Sequence, residues 1–396
     1  MSTKKKNTVR KKTVKRKPKR RIRWGVVLAP FVLVALIVLL VKLPGIMTNS
    51  KLKKLGYAEE EITAIREAEL TDTILKGQYY SRTLADAIVK GTLRKGYIPL
   101  YVTIDDAKKL TDRYFLLYAR LEDMGYEEDQ LLNLFRSLEF NEITPLLVSD
   151  YQWDENVYIA DMAEVRSGSF DVPFDEYRTS YKDAREVTDP SETTVLVNKT
   201  WYLPADYVPG NLTGVSTEYA VDGMRMTKGA ANAVVDMCMA GINSGNAFFV
   251  AGSYQTHETI QKSYDYFVKT EGERAADLMV GKPGFNEFQT GLACTFAATY
   301  EEYEDFRTTD CFKWLQANSY KFGFVERAPL KKEWITGLEE DATYFRYVGK
   351  ELAGQIYRSR LTFDEYWNLV LKDWDHEDVK PSDQIIENAA AEFAGN

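Results

Sequence analysis

Histidine and cysteine are scarce in this sequence. Its 396 residues include 2 histidines and 3 cysteines. His257 and His376 are too few to supply a site with three imidazole ligands within one chain. The three cysteines lack the CxxC spacing of a zinc ribbon or a thioredoxin-like site. Together these counts also exclude a disulfide-stapled scaffold.

Glycine and proline are not enriched, with 24 and 12 residues respectively. The chain is 45% hydrophobic and 28% charged, which is typical of globular proteins. A collagen-like, low-complexity or disordered protein is therefore excluded. The length allows two or three domains.

Acidic residues are absent from residues 1–23, which hold 13 Lys or Arg. The net charge is −8, so the remainder carries −8 minus 13, or −21. The next 18 residues, 24–41, have no charge and would span about 27 Å as a helix. We predict a cytoplasmic tail over 1–23 and a transmembrane signal anchor over 24–43, with the rest of the chain extracytoplasmic.

A cleavable signal peptide is the alternative interpretation of this segment. The residues after Val41 lack an Ala-x-Ala-like cleavage site, which favours the anchor. A basic run beside a membrane span favours contact with anionic headgroups over nucleic acid. The predicted partners therefore include the membrane and exclude nucleic acid.

Residues 44–150 show apolar positions at helical spacing and are predicted to form a helical, membrane-proximal region. A weak repeat lies within it, Leu-Lys-Lys-Leu-Gly-Tyr-Ala-Glu-Glu-Glu-Ile at 52–62 and Leu-Glu-Asp-Met-Gly-Tyr-Glu-Glu-Asp-Gln-Leu at 121–131. Gly56 and Gly125 would each end a helix. The repeat indicates either two ordinary helical corners, the interpretation we favour, or a duplicated module.

After residue 150 the pattern changes to mixed strands and helices, which predicts one α+β domain over 151–374. An acidic tail follows over 375–396. The elements expected within this part are strands at 156–160, 194–198 and 248–251 and helices at 226–243, 258–271, 309–321 and 349–373.

Several motifs of this domain are distinctive. They are Val-Leu-Val-Asn-Lys-Thr-Trp-Tyr-Leu-Pro from 195, Gly-Ser-Tyr-Gln-Thr-His-Glu from 252, Glu-Phe-Gln-Thr-Gly-Leu-Ala-Cys-Thr from 287 and Phe-Arg-Tyr-Val-Gly from 345. In order and spacing the chain resembles the VanY-type D-alanyl-D-alanine carboxypeptidases over about 195–370. The resemblance implies an α+β zinc-peptidase fold that trims the terminal D-alanine of peptidoglycan stem peptides in Gram-positive bacteria.

The residues that the family uses for chemistry are replaced here. The resemblance places the three zinc ligands at Phe288, Thr295 and Tyr344. It places the general base at Asp341 and the carbonyl-polarising Arg at Gln255. Zinc needs nitrogen, sulfur or carboxylate donors, and without it no bound water is activated. We therefore predict no intact metal ligand, no intact catalytic residue and no cofactor.

Much of the surrounding motif is retained. The resemblance implies a groove formed by Tyr254, His257, Glu287, Gln289, Thr290 and Arg346. Aromatic rings at 288 and 344 would either give this groove a floor that suits a peptide or sugar, or close it. Both interpretations stay open at this point.

Three hypotheses of function follow. The first is a membrane-anchored, inactive carboxypeptidase homologue that binds the stem peptide or a cell-wall enzyme. The second is a structural adaptor that acts through the helical region. The third is an active carboxypeptidase with a rearranged zinc site using His257, Cys294 and Glu340. If 292–296 is a strand, Cys294 points away from Thr295, which disfavours the third.

Overall fold

The computed structural model describes residues 45–148, 154–167, 181, 184–299 and 305–372. The predicted tail over 1–23, the anchor over 24–43 and the acidic segment over 375–396 lie outside these residues. The chain divides into two compact units, Met1–Leu93 and Arg94–Asn396. The domain limits predicted at 150 and 374 stay predictions.

The predicted fold class is wrong in one part, the single transmembrane helix. Among the described residues no helix is both long enough and apolar enough to cross a bilayer. The hydrocarbon core requires about 20 apolar residues in helical form. The longest helix of the described part, Lys228–Asn243, has 16 residues. The class that the described residues support is α+β, with no membrane-spanning helix among them.

The first unit is helical where it is described. Its helices are α1 (45–55), α2 (Glu59–Glu67), α3 (Thr71–Gly77) and α4 (Arg82–Lys90). In α4 the Ser81 hydroxyl accepts a hydrogen bond from the Leu84 amide over 3.0 Å, and Gly91 ends the helix in the left-handed region. The buried face of α4 then packs within the unit through Leu84 and Ile88.

The second unit begins with five more helices. They are α5 (Ile98–Thr103), α6 (Asp112–Asp123), α7 (Glu128–Ser137), α8 (Phe140–Ile143) and α9 (Glu155–Ser167), with a 3₁₀ turn at Thr144–Val148. The strand predicted over 156–160 is wrong, since these residues belong to α9. Tyr158 and Met162 are buried four positions apart while Val157 is exposed, which is a helical and not an alternating pattern.

The two repeated segments form corners of the same geometry. Gly56 has φ of 119° and Gly125 has φ of 92°. The Tyr57 amide donates to the Leu52 carbonyl over 3.2 Å, and the Tyr126 amide donates to the Leu121 carbonyl over 3.2 Å. Each corner therefore ends its first helix with the same backbone hydrogen bond, at a position that favours glycine.

The helices after the corners also begin alike. The Glu61 carboxylate accepts from the Ala58 amide over 2.7 Å, and the Gln130 side chain accepts from the Glu127 amide over 2.9 Å. Buried positions recur 69 residues apart. The pairs are Leu52 and Leu121, Tyr57 and Tyr126, Ile62 and Leu131, Ile65 and Leu134, and Ile74 and Ile143, none more than 3% exposed. The structure thus favours a duplicated helical module over two unrelated corners.

Three sheets lie within the described residues of the α+β part. Strands β1 (Arg185–Glu186) and β2 (Trp201–Tyr202) are parallel, and β3 (Leu212–Gly214) and β4 (Arg225–Thr227) are antiparallel. The main sheet is antiparallel with the order β5-β6-β8-β7, formed by Phe248–Gly252, Ala293–Ala298, Asp341–Tyr347 and Phe324–Ala328. This agrees with the α+β expectation.

Seven helices accompany these strands in the described part. They are α10 (Lys228–Asn243), α11 (His257–Thr270), α12 (Glu273–Met279), α13 (Asp310–Asn318), α14 (Glu333–Thr336), α15 (Lys350–Ser359) and α16 (Phe363–Tyr366), and a π-helical turn follows at Trp367–Leu371. The helix predicted over 349–373 is interrupted at Arg360, which has φ of 61° and ends α15.

The strand predicted over 194–198 is also wrong. Backbone carbonyls of this segment and of the residue before it accept hydrogen bonds from a side chain and not from a neighbouring strand. The Arg346 guanidinium donates to the carbonyls of Val195 over 2.9 Å and Thr193 over 3.1 Å. The segment is therefore an irregular but buried connection, with Val197 1% exposed.

The two faces of the main sheet have different roles. Cys294, Phe296 and Phe345 lie in the main hydrophobic core. On the alternate positions, Thr295 pairs with Tyr344 and points to the other face. The prediction that Cys294 points away from Thr295 is confirmed, and Cys294 is fully buried. The second face carries the candidate site.

Candidate functional site

The turn at 286–291 is fixed by its own side chains. The Asn286 amide oxygen accepts from the Phe288 amide over 2.8 Å. The Thr290 hydroxyl donates to the Glu287 carbonyl over 2.6 Å and accepts from the Leu292 amide over 3.0 Å. These short-range bonds close a 3₁₀ turn over Glu287–Thr290 and orient the Phe288 side chain.

Two glycines allow the neighbouring segments to approach closely. Gly291 has φ of 68°, and a Cβ there would lie 2.7 Å from Leu212 Cδ2. A Cβ on Gly252 would lie 2.6 Å from Thr295 Oγ1. Thr295 is therefore held between β5 and β8, since it pairs with Gly252 on one side and Tyr344 on the other.

The rings of Phe288 and Tyr344 are stacked, with centroids 5.0 Å apart and an interplanar angle of 20°. They form a small apolar cluster with Ala293, Ala328 and Leu338. Such a ring pair contributes roughly 0.5–1.5 kcal/mol beyond the area that it buries. Two positions at which the resemblance implies zinc ligands are thus occupied by packed aromatic carbon.

The Tyr344 hydroxyl is directed to a buried carboxylate. It donates to Glu287 Oε2 over 3.3 Å, and Glu287 is 2% exposed. Burial, reinforced by the charge of Glu287, raises the pKa of Tyr344 well above its ordinary value. Tyr344 is therefore a neutral hydrogen-bond donor at physiological pH, and a phenolate ligand is disfavoured.

Glu287 belongs to a buried ion network. Arg327 donates through Nε to Glu287 Oε2 over 2.8 Å, and through its terminal nitrogens to Asp364 over 2.6 and 3.2 Å. Asn198 donates to the same Asp364 carboxylate over 2.9 Å. Burial alone would lower the pKa of Arg327, but Asp364 and Glu287 outweigh it and raise that pKa. Loss of one partner in such a pair costs about 3–5 kcal/mol.

Arg346 is fully buried and serves the scaffold. It binds the carbonyls of the 193–195 segment, and its Nη1 lies 3.4 Å from Thr290 Oγ1 and 4.0 Å from Glu287 Oε1. Burial lowers its pKa despite the nearby Glu287. Gln289, also fully buried, donates to the carbonyls of Pro204 over 2.9 Å and Tyr207 over 3.2 Å.

The structure therefore divides the residues of the predicted groove into two groups. Glu287, Gln289, Thr290 and Arg346 are at most 2% exposed and hold the turn to the sheet. Tyr254 and His257 are partly exposed. The only retained groove residues that a ligand could reach from the surface are these last two.

The last two predicted positions are those of the carbonyl-polarising residue, Gln255, and of the general base, Asp341. The backbone amide of Gln255 donates to the Phe288 carbonyl over 3.2 Å, so Gln255 borders the turn. Asp341 Oδ1 accepts from the Thr343 amide over 2.8 Å and from the Thr343 hydroxyl over 2.6 Å. The carboxylate at the predicted base position thus caps the start of its own strand.

A cavity of about 60 Å³ adjoins the stacked rings. Phe288, Tyr344, Glu287, Asp341 and Lys199 are among the residues that line it. Its size suits about two water molecules, which occupy roughly 30 Å³ each in the liquid. The cavity that remains beside the rings is therefore small.

The residues present do not fit zinc. Phenylalanine has no donor atom, and Thr295 and Tyr344 offer neutral hydroxyls where carboxylate and imidazole are needed. Throughout the described residues no three His, Cys, Asp or Glu side chains lie close enough to hold a metal ion. For the rearranged site, Cys294 lies in the core, where burial raises its pKa well above the ordinary value, and Glu340 pairs with Arg307 over 3.5 Å.

The ion network was not predicted from the sequence. Its signal was present as charged residues within apolar runs, in Phe-Val-Glu-Arg-Ala at 324–328 and Phe-Asp-Glu-Tyr at 363–366. Buried charge is uncommon without a partner. The pairing of Arg327 with Asp364 could not be assigned from these runs alone.

Comparison with known proteins agrees with this fold and motif order. The profile of the VanY family, described as D-alanyl-D-alanine carboxypeptidase, matches residues 223–350. A putative carboxypeptidase of Bacillus subtilis, YodJ, is 34% identical over 193 residues, covering 47% of this chain and 71% of that protein. A D-alanyl-D-alanine carboxypeptidase of Enterococcus faecalis is 31% identical over 197 residues, covering 47% and 69%.

Among solved structures, that of the LdcB LD-carboxypeptidase has 34% identity and a TM-score of 0.44, covering 48% of this chain and 92% of that one. By its motifs, the matched family profile and these sequence relatives, the α+β part is of the carboxypeptidase class. The chain belongs to the VanY family of D-alanyl-D-alanine carboxypeptidases.

Proposed function

We propose that this chain is a carboxypeptidase-like protein of the bacterial cell wall that acts outside the cytoplasm. In this proposal it binds the D-alanyl end of a peptidoglycan stem peptide without hydrolysing it. Family membership supports the ligand class, because the family and a relative from Enterococcus faecalis are described as D-alanyl-D-alanine carboxypeptidases. The absence of hydrolysis rests on the site itself.

One observation carries the proposal, the stack of Phe288 on Tyr344 with centroids 5.0 Å apart. Peptide hydrolysis by a zinc enzyme depends on a metal that lowers the pKa of its bound water to about 7. This chain supplies aromatic carbon and neutral hydroxyls at the corresponding positions. Asp341 is in addition committed to Thr343 and is one methylene shorter than the glutamate it replaces.

Peptide binding is supported by what surrounds the stack at the surface. Tyr254, Gln255, His257 and Phe288 are all partly exposed. Aromatic surface with a few polar groups is typical of sites for small peptides. The buried ion network beneath the rings fixes the turn that carries Phe288, so this surface is preorganised by Arg327 and Glu287.

The test uses the full chain and a stem pentapeptide that ends in D-Ala-D-Ala. Calorimetry should detect binding, and the same peptide ending in L-Ala-L-Ala should bind at least tenfold more weakly. D-Alanine release should be undetectable, and a chelator should change neither binding nor the melting temperature. About one zinc per chain together with D-alanine release would disprove the inactive assignment. Equal binding of both peptides would disprove the ligand assignment.

A matched variant restores the residues that the family resemblance implies. It combines Phe288→His, Thr295→Asp, Tyr344→His, Asp341→Glu and Gln255→Arg. We expect this variant to bind about one zinc per chain by metal analysis, whereas the natural chain binds none. If the variant folds but takes up no zinc, the backbone at these positions is not that of a former metal site.

The duplicated helical module favours a second candidate, an adaptor that acts through its helices. Both copies expose acidic residues in the first turn after the corner, Glu59 and Glu60 in one and Glu128 and Asp129 in the other. Under this hypothesis, reversal of these four charges abolishes binding of the full chain to purified cell-wall sacculi. Under the first hypothesis, Phe288→Ala weakens that binding and the charge reversals leave it unchanged.

A further inference from the structure

A second concavity lies at the edge of the main sheet, where β7 is the last strand among the described residues. Its volume is about 540 Å³, and α13, the 3₁₀ turn Ser319–Phe322, β7 and α15 border it. We name it the β7 groove. Its floor is apolar, with Phe324, Ile356 and Leu361 at most 7% exposed. This volume lies within the range of small-molecule sites.

Positive charge predominates along the β7 groove. Lys313, Lys332 and Arg360 line it, and of the described residues that line it Glu326 alone carries a carboxylate. Lys313 pairs with Asp310 over 2.7 Å, whereas Lys332 and Arg360 form no ion pair within the described part of the chain. The whole chain has a net charge of −8, so this local excess runs against its average.

Glu326 is the single carboxylate among the described residues that line the groove. Its carboxylate accepts a hydrogen bond from Gln316 Nε2 over 3.4 Å. Burial raises its pKa above the ordinary value, so the charged form is disfavoured relative to an exposed glutamate. The groove therefore attracts anions, and Gln316 and Glu326 present polar atoms that can bond to hydroxyl groups.

Two tyrosines at the groove are arranged to favour an anion as well. The rings of Tyr320 and Tyr357 stack with centroids 4.0 Å apart and an angle of 14°. Lys321 lies over one ring at 5.6 Å and Arg360 over the other at 5.3 Å. A 4.0 Å spacing leaves no room for a cation between the rings, so both cations cover outer faces. Both tyrosines are partly exposed, and the edge of an aromatic ring is its positive part.

We propose that the β7 groove binds a phosphate ester of a sugar or polyol. The phosphate contacts Arg360 and Lys332, because two uncompensated cations match a dianion better than a single carboxylate, and arginine binds phosphate oxygens in a fork. The carbon skeleton lies on the apolar floor, and its hydroxyls bond to Gln316 and the tyrosine hydroxyls. The groove shares no lining residue with the Phe288–Tyr344 cluster, so this inference is independent of the proposed function.

The experiment titrates the full chain with glucose 6-phosphate, glucose and inorganic phosphate by calorimetry. Glucose 6-phosphate should bind at least tenfold more tightly than either of the others, and its affinity should fall as salt is raised. The double variant Lys332→Gln/Arg360→Gln should weaken it at least tenfold. The control Lys331→Gln/Arg358→Gln removes two exposed charges that neighbour the groove without lining it, and should change affinity less than twofold.

Several results would overturn this assignment. They are no binding of glucose 6-phosphate, equal affinity for inorganic phosphate, or equal weakening by the control variant. Glucuronate carries a carboxylate on the same ring, so equal affinity for it would overturn the preference for phosphate. The comparison requires that both double variants melt close to the melting temperature of the natural chain. Tyr357→Phe is a milder second variant, because it removes one hydroxyl and retains the ring stack.

Discussion

The two copies of the helical module share their internal design but differ in what they contact. Both have a left-handed glycine, a buried tyrosine after it and a side-chain cap at the next helix. In the second copy, Thr144 donates to Glu365 Oε1 over 2.7 Å, and Arg120 Nε donates to the Leu369 carbonyl over 3.3 Å. The second copy is therefore joined to the helical end of the carboxypeptidase-like part.

The positions that make these contacts have different residues in the first copy. Sixty-nine residues earlier than Thr144 and Arg120 lie Leu75, which is half-buried, and Lys51, which is exposed. The module itself is specified by apolar spacing and caps that both copies keep. Two polar residues, present in one copy only, are enough to define an additional buried contact.

The largest loss of stability should come from substitution at the buried core positions that both copies keep. Leu52→Ala and Leu121→Ala each remove a fully buried side chain and should each cost about 2–5 kcal/mol. Hydrogen exchange, read within the unit that carries each substitution, should show similar losses of protection around the two corners. A loss confined to one of the two variants would break the equivalence of the copies.

A smaller effect is expected where the copies differ. Thr144→Val keeps the shape but removes the donor to Oε1 of the buried Glu365 carboxylate, which should cost about 1–3 kcal/mol of unfolding free energy. The matched change in the first copy, Leu75→Val, removes one methylene from a half-buried side chain and should cost about 1 kcal/mol or less. Urea unfolding measures both. Equal costs would show that the contact to Glu365 adds no stability.

At the corner glycines, the left-handed backbone alone should cost a substituted alanine about 1–2 kcal/mol of unfolding free energy, because that region is unfavourable for a residue with Cβ. Gly56→Ala should cost more than this, because the new Cβ would lie 2.9 Å from the Tyr80 ring. Thermal unfolding of Gly56→Ala and Gly125→Ala provides the comparison. A cost near zero at either position would contradict the backbone conformation of that corner.

The smallest effect concerns the caps. Glu61 both caps α2 and accepts from Arg82 over 2.7 Å, whereas its counterpart Gln130 is uncharged. Glu61→Gln keeps the cap and loses the ion pair, and should cost about 0.5 kcal/mol at low salt because Arg82 is largely exposed. The difference should vanish in about 1 M salt, where the Debye length is about 3 Å. A cost that persists at high salt would assign the effect to the cap.

Short-range features of the fold were predictable. The corners, the helices α10 and α11 and strand β5 depend on caps, glycines and apolar spacing within a few residues, and the structure has them near the expected positions. The strand predicted over 156–160 failed because alternation over five residues cannot be distinguished from a helix with one buried face. The 194–198 segment failed because Arg346, distant in sequence, bonds to its carbonyls.

The candidate site was likewise predictable in its residue types and not in its long-range contacts. The replaced positions Phe288, Thr295 and Tyr344 were evident from the motif, and their chemistry follows from residue type. Whether the rings of Phe288 and Tyr344 form the floor of the groove or close it was left open. That the two rings stack on each other is a tertiary contact that the motif did not show. The burial of Glu287 and Arg346 was not foreseen, since both were expected to line the groove.

By itself the sequence determined which donor atoms exist at each motif position, because donor chemistry belongs to the side chain and needs no neighbour. It likewise determined the helical corners, because their hydrogen bonds close within a few residues. Only the tertiary structure decided that Arg327 joins Glu287, 40 residues away, to Asp364, 37 residues away. Pairings of that separation depend on how strands and helices pack, and no local pattern encodes them.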